Sequence, residues 1–311
     1  MPTLPGSTVE IFPVNLGGNA FGWTADESTS FAVLDRFVEL GGTFVDTADS
    51  YAAWVDDVGG QSETILGRWL AARGSRDDVA VATKVARKPG REGLAHDTVV
   101  AALEESLDRL QTDHVDLYYA HYDDEEVPVA EQVATFDGLV RDGRVRAVGL
   151  SNFSPERMRE WFETARREGA SVPVAVQPRY SLVSRAGYER DYAPLVTEFG
   201  AMVFSYPALA SGFLTGKYRS EADLEGQPRG AAARRYLEAG GLRVVEELVR
   251  VAEGYGVEPA TVALSWVLAK GVTAPIASVS RPGQLDALMA APGLQLSAAD
   301  VAALDEASAD F

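Results

Sequence analysis

The chain has 311 residues, 46% of them hydrophobic and 24% charged, an ordinary globular balance that excludes disorder as a whole. Lys plus Arg number 28 against 46 Asp plus Glu, and the net charge of −18 sets the surface against nucleic acid as the main ligand. The absence of cysteine excludes disulfides, zinc-thiolate and iron–sulfur centres and a thiol nucleophile. With no apolar run near ~20 residues and no leader-like start, the sequence predicts a cytoplasmic protein with no membrane partner.

In chain order, the first predicted strand is Val14–Gly18, followed by helical spacing at Phe31, Leu34 and Val38. Strands are then expected at Thr43–Thr47, Val79–Val85, Val115–His121, Val145–Ser151, Val172–Gln177, Ala201–Tyr206 and Val272–Ser278. Between them lie amphipathic segments. Val99, Leu103, Leu107 and Leu110 share one helix face, with Glu104, Glu105 and Asp108 pointing away. Strand starts mostly recur at about βα-unit spacing until a longer gap after Tyr206. That gap reads as a polar loop from about Arg219 to Arg235, then helices near Leu242–Gly254 and Pro259–Lys270. A last helix is expected near Ala298–Ala307.

Eight such units with no dividing linker predict a single α/β domain over residues 1–311. The expected architecture is a (β/α)8 TIM barrel of parallel strands, with an N-terminal extension and a long insertion between strands 7 and 8. A doubly wound open sheet competes, because periodicity does not distinguish a closed parallel sheet from an open one. Its dinucleotide fingerprint is missing, however: Gly254 and Gly256 are followed by Pro259 where a third glycine belongs. No Walker loop and no His-Glu-x-x-His occur, and His96, His114 and His121 are too far apart to suggest a metal site.

Barrel chemistry sits at the carboxyl ends of strands, and the polar residues there are Asp46, Tyr51, Lys84, His121, Ser151, Asn152, Gln177 and Tyr206. Each has a plain structural alternative. Asp46 and Lys84 suit a buried ion pair, Tyr51 a packing role, and His121 a surface position at a strand end. Asn152 suits a turn before the helix opened by Ser154-Pro155-Glu156, while Gln177 and Tyr206 each precede a proline. Together they have one economical chemical use, proton delivery to a carbonyl oxygen while hydride arrives at carbon. A phenol of pKa ≈ 10 is a poor acid at neutral pH. An ammonium at Lys84, held by Asp46, is expected to lower it, and His121 to orient the carbonyl. Asn152 and Gln177 suit a carboxamide, and Tyr206 a flat nicotinamide ring.

Several segments resemble the aldo-keto reductase family over essentially the whole chain. They are Leu16 to Trp23, Gly41 to Tyr51, Ala82-Thr83-Lys84, Asp116 to His121 and Gly149 to Phe153, with the family's order Asp, Tyr, Lys, His. The resemblance implies a barrel that binds NADPH, with NADH as an alternative, and reduces a small-molecule aldehyde or ketone. It implies that Tyr51 is the general acid, tuned by Lys84 and Asp46, that His121 orients the carbonyl, and that Ser151, Asn152, Gln177 and Tyr206 hold the nicotinamide. Leu209 to Tyr218 resembles a pyrophosphate-covering loop, implying contacts from Leu209, Ser211, Gly212 and Lys217. Ser278 to Leu285 resembles the adenosine-phosphate segment, implying Ser280, Arg281 and Gln284. The chain departs from its kin at Ala287 and Leu288, where Glu-Asn is common, and at Pro207-Ala208 in place of Ser-Pro.

Around the expected mouth, Phe21, Trp23, Trp54, Tyr122 and Phe213 suggest an aromatic wall for a bulky carbonyl, with packing of loops onto the barrel as the alternative. Two other functions fit the same residues. One is a nicotinamide-binding regulatory subunit with little turnover, and the other a Schiff-base aldolase using Lys84 as nucleophile. The sequence leaves oligomeric state open.

Overall fold

The computed structural model describes all 311 residues. Its main sheet is built from β1 (Asn15–Gly17), β2 (Phe44–Asp46), β3 (Ala80–Val85), β4 (Leu117–Ala120), β5 (Val148–Ser151), β6 (Ala175–Gln177), β7 (Met202–Val203) and β8 (Ile276–Ala277). All pair in parallel, in consecutive order from β1 to β7, with β8 beside β1. The free edges of β7 and β8 meet. Ile276 N–H donates to the Ser205 carbonyl at 2.9 Å, and Thr273 and Ala274 N–H donate to the Val203 carbonyl at 3.0 and 3.2 Å. The sheet therefore curls into an α/β barrel, and the open doubly wound alternative, whose strand order reverses at a switch point, does not describe it.

The helices around it are α1 (Glu27–Glu39), α2 (Gln61–Arg73), α3 (His96–Leu110), α4 (Val129–Arg141), α5 (Pro155–Glu168) and α6 (Ala193–Phe199). After β7 come α7 (Gly230–Glu238), α8 (Leu242–Tyr255) and α9 (Pro259–Ala269), and after β8 come α10 (Leu285–Met289) and α11 (Ala298–Ala307). Their starts have local causes. Asp26 accepts the Thr29 N–H before α1, Ser154 accepts the Arg157 N–H before α5 with Pro155 next, and Ser297 accepts the Asp300 N–H before α11. No single helix is long and apolar enough to cross a membrane.

The strands are shorter than expected, β7 most of all, with two residues. The polar loop expected at Arg219 to Arg235 is instead a 3-10 turn (Glu221–Leu224) followed by α7. The turn is set by a reciprocal cap between Ser220 and Asp223, and Leu224, Ala233 and Tyr236 bury its apolar side. A short antiparallel pairing of Arg87–Lys88 with Arg91–Glu92 follows β3, turned by Pro89-Gly90 with Gly90 in a left-handed conformation, and is absent from the sequence-based expectation.

Two-residue alternation along the strands separates a barrel interior from the helix-facing core. Phe44, Ala80, Ala82, Leu117, Tyr119, Ala147, Ala175, Phe204 and Ile276 form one inner cluster, joined at its amino end by Leu4, Val9 and Ile11. Val45, Val81, Val85, Tyr118, Leu150 and Val176, of opposite parity, belong to the outer core. Continuing the inner parity toward the carboxyl ends brings Asp46, Lys84, His121, Ser151, Gln177 and Tyr206 onto the same inner surface.

Candidate active site

At the carboxyl end of the barrel, Lys84 is fully buried and donates in three directions. Its Nζ lies 2.5 Å from Asp46 Oδ2, 2.7 Å from the Thr47 carbonyl and 2.9 Å from the Tyr51 hydroxyl. Tyr51 in turn donates to Asp46 Oδ2 at 3.3 Å, and the other Asp46 oxygen accepts from Gln177 Nε2 at 2.8 Å. The buried carboxylate is thus fully engaged, as a charge in that position must be. Three donated hydrogens and no exposed surface leave Lys84 without a lone pair to offer a substrate, which argues against the Schiff-base role.

Burial, followed by the Asp46 carboxylate beside it, pushes the Tyr51 phenol well above its ordinary value of 10.0. This reverses the expectation that Lys84 lowers it: the low-dielectric site and the anion outweigh the cation. Burial also lowers Lys84 from 10.5 despite the opposing pull of Asp46. His121 is held well below 6.5 by burial first and then by Lys84 and Arg87, so its imidazole is neutral at neutral pH. Its ring centre is 6.4 Å from that of Tyr51, and its Nδ1 is buried without a partner.

The residues expected to hold a nicotinamide adjoin this group. Asn152, in a left-handed conformation, donates to the His121 carbonyl at 2.8 Å and to Ser151 Oγ at 3.0 Å, while Tyr206 donates to its Oδ1. Ser151 Oγ donates to the Gln177 carbonyl at 2.9 Å. Asn152 therefore ties two strand ends together, and Ser154, not Asn152, caps the following helix.

After β7, Ala210, Ser211 and Gly212 take successive left-handed conformations beside Leu209. A β-carbon on Gly212 would stand 3.1 Å from Lys217 Nζ, so the ammonium sits directly over this turn. Consecutive backbone groups curled in this way beside a cation suit an anion. Beyond β8, Gln284 Oε1 accepts from the Ser280 N–H at 2.9 Å, and Arg281 is exposed with no carboxylate partner.

Of the expected aromatic wall, Trp23 and Trp54 meet edge to face at 5.5 Å, Trp54 lies 6.3 Å from Tyr51, and Tyr122 lies 5.1 Å from His121. Phe21 and Phe213 have no exposed surface and belong to the core, so they do not line the mouth. Exposed Trp54, Val55 and Val58 leave an apolar rim on the loop after β2. Arg229, within the stretch read from sequence as loop, reaches back to Asn19 Oδ1 at 3.0 Å and stands over Trp23. Sequence gave no sign of that contact, because it joins residues 210 positions apart. It also gave none for the buried carboxylates Asp49 and Glu63 behind the site, the latter bound by Thr83 and Arg109.

A family model described as the aldo/keto reductase family matches residues 13–309. Aldo-keto reductase YhdN of Bacillus subtilis is 34% identical over 300 residues, covering 92% of this chain and 85% of that protein. Aflatoxin B1 aldehyde reductase member 4 of Homo sapiens is 38% identical over 216 residues, 69% of this chain and 63% of its own length. A probable voltage-gated potassium channel subunit beta of Oryza sativa is 32% identical over 256 residues, 79% of this chain and 76% of that protein. Barrel, strand-end residues and full-length similarity agree, and the chain belongs to the aldo/keto reductase family, as an oxidoreductase enzyme.

Proposed function

We propose that residues 1–311 act as one domain that reduces an aldehyde or ketone to an alcohol with NADPH, NADH serving less well, and with Tyr51 as proton donor. The observation that carries this reading is the Tyr51 hydroxyl, placed between the Lys84 ammonium at 2.9 Å and the Asp46 carboxylate at 3.3 Å. With its pKa raised, the phenol keeps its proton through neutral pH and surrenders it only to a strong acceptor. A carbonyl oxygen gaining negative charge is such an acceptor. The phenolate left behind lies within hydrogen-bond reach of Lys84, which stabilises it. His121, neutral, offers an N–H to the same oxygen and fixes its orientation.

The residues present fit a dinucleotide. The left-handed turn at Ala210 to Gly212 under Lys217 suits the pyrophosphate, with Leu209 and Ser211. Arg281, with Ser280 and Gln284, suits a further phosphate, where its planar fork is matched. Ser151, Asn152, Gln177 and Tyr206 would hold the carboxamide and ring. When bound, the reduced nicotinamide supplies the hydride that the carbonyl carbon accepts.

A tryptophan-fluorescence titration with NADPH and NADH, followed by 4-nitrobenzaldehyde while the nicotinamide absorbance is read, tests the proposal. Binding and then oxidation are expected, and Tyr51→Phe should bind NADPH normally but lose roughly 10²-fold or more in rate. Near-wild-type turnover by Tyr51→Phe would remove Tyr51 from the role. The similarity to a channel subunit favours a second reading, a regulatory protein that binds the nucleotide. Binding without oxidation across an aldehyde and ketone panel would establish that reading instead.

A further inference from the structure

Carboxylates greatly outnumber cations in this chain, and most Lys and Arg side chains are paired. Those without a carboxylate within 4.0 Å are not scattered. Apart from Arg166 at the end of α5, all follow the carboxyl end of a strand: Arg87 after β3, Arg179 after β6, Lys217, Arg219, Arg229 and Arg235 after β7, and Arg281 after β8. In a molecule of net charge −18, cations left unpaired at one end of the barrel point to an anionic ligand there. A dinucleotide accounts for those that follow β7 and β8. It does not by itself account for Arg179, 5.9 Å from the Tyr206 ring centre, or for Arg87, which lies beyond His121 and Tyr122.

The surroundings of Arg87 keep it unpaired although carboxylates are near. Glu92 is its direct cross-strand partner, yet no ion pair forms; the guanidinium instead stands 4.1 Å from the Tyr122 ring centre. Glu105 is taken by Lys88 at 2.6 Å and Arg91 at 2.8 Å. Asp123 is held by Arg157 in a fork of 2.7 and 3.0 Å, and Asp124 accepts the Leu94 and Glu126 N–H groups. Stacking occupies the face of a guanidinium and leaves its in-plane N–H edge free for a planar anion. Because the Tyr122 ring centre is 5.1 Å from that of His121, the guanidinium is at most about 9 Å from the imidazole. An aromatic ring bearing a carbonyl and a carboxylate reaches both groups where the imidazole and the guanidinium edge face the same side of it.

We propose that the carbonyl substrate carries a carboxylate, which Arg87 receives by a forked pair of hydrogen bonds while the carbonyl lies at Tyr51 and His121. This deepens the reductase reading and rests on it. Tyr122 acts as the platform that fixes the arginine, and Trp54, 6.3 Å from Tyr51, offers an apolar face at the carbonyl end.

The test compares 4-carboxybenzaldehyde with its neutral methyl ester as substrates of the NADPH-loaded protein. A charge-assisted fork favours the acid at least tenfold in kcat/KM. Arg87→Gln is expected to abolish that preference by raising KM for the acid alone, with ester turnover and the NADPH dissociation constant unchanged, and Arg87→Lys to restore part of it. Equal kcat/KM for acid and ester in the wild type, or an equal loss on both in Arg87→Gln, would overturn the proposal. If neither aldehyde is turned over, calorimetry with benzoate against benzamide reads the anion site directly, independently of the reductase reading. Tighter binding of benzoate, lost in Arg87→Gln, would uphold the site; equal binding would remove it.

Discussion

Tyr119 lies flat over Gly149: a β-carbon at position 149 would stand 2.4 Å from the ring's Cε1. The two residues pair across β4 and β5, and the ring in turn supports Lys84, whose Nζ is 5.9 Å from its centre. Glycine is required because the inner surface has no spare volume there, not because of an unusual backbone angle. Gly149→Ala should cost about 1–3 kcal/mol of stability as the ring is displaced. Thermal unfolding checks this, and an unchanged melting temperature would mean that Tyr119 has room to move.

The pH dependence of reduction should be flat across the neutral range. Tyr51 acts in its protonated form and titrates above 10.0, while His121 acts in its neutral form and titrates below 6.5. Between these limits neither group changes state, so kcat/KM should be level, falling on the acid side only as His121 gains its proton. A pre-steady-state hydride-transfer profile with a saturating cofactor checks this. A drop with a midpoint near pH 8 would require a phenol pKa lowered by Lys84 after all.

Asp49 is fully buried and neither of its carboxylate oxygens has a hydrogen-bond partner. Burial, and then the nearby Glu63 charge, raise it well above 3.8. The folded chain therefore keeps a proton that the unfolded chain loses above that value. Stability consequently falls as pH rises from about 4 up to the folded-state pKa. Asp49→Asn carries no proton to lose, so it should remove this part of the pH dependence and be at least as stable at pH 7.5. Urea unfolding of both proteins at pH 4.5 and 7.5 reads the difference; an Asn variant weaker at both would point to an unseen partner for the carboxylate.

Arg281 stands exposed and unpaired at the start of the segment after β8. Arg281→Ala should weaken NADPH binding roughly tenfold, with little effect on NADH, since only the former has the additional phosphate for a fork to grip. Parallel titrations decide it, and equal losses would place Arg281 elsewhere on the dinucleotide.

The strand ends were legible because period-two alternation fixes parity: once Thr43–Thr47 is read as a strand, Asp46 shares an inner face with Phe44. The same rule places Lys84, Ser151 and Gln177 without any long-range information. What it does not carry is depth. Phe21 follows the same motif as Trp23, yet one is sealed in the core and the other stands under Arg229. Reading Arg219 to Arg235 as loop gives its charges and Gly226-Gln227-Pro228 more weight than the helix propensity of Ala231-Ala232-Ala233-Arg234-Arg235, while the start of helix α7 depends on a contact invisible in the sequence, Gly230 packing against the Leu224 carbonyl. The phenol's upward shift is equally invisible, since a sequence names the charges near Tyr51 but not how much water they have lost.

The joint between β7 and β8 also bears on how the barrel moves. Every other neighbouring pair of staves is laced by a regular ladder, whereas this one is closed by Ile276, Ala274 and Thr273 reaching across to Ser205 and Val203. The irregular joint is where the wall is expected to part first, ahead of the regular ladders. Tyr206 and the turn under Lys217 hang from one lip of that joint and Arg281 from the other. A ligand spanning both lips would act as a clasp, and amide exchange at 202–206 and 273–277 would slow on its arrival while the opposite wall, at β3 and β4, would not notice.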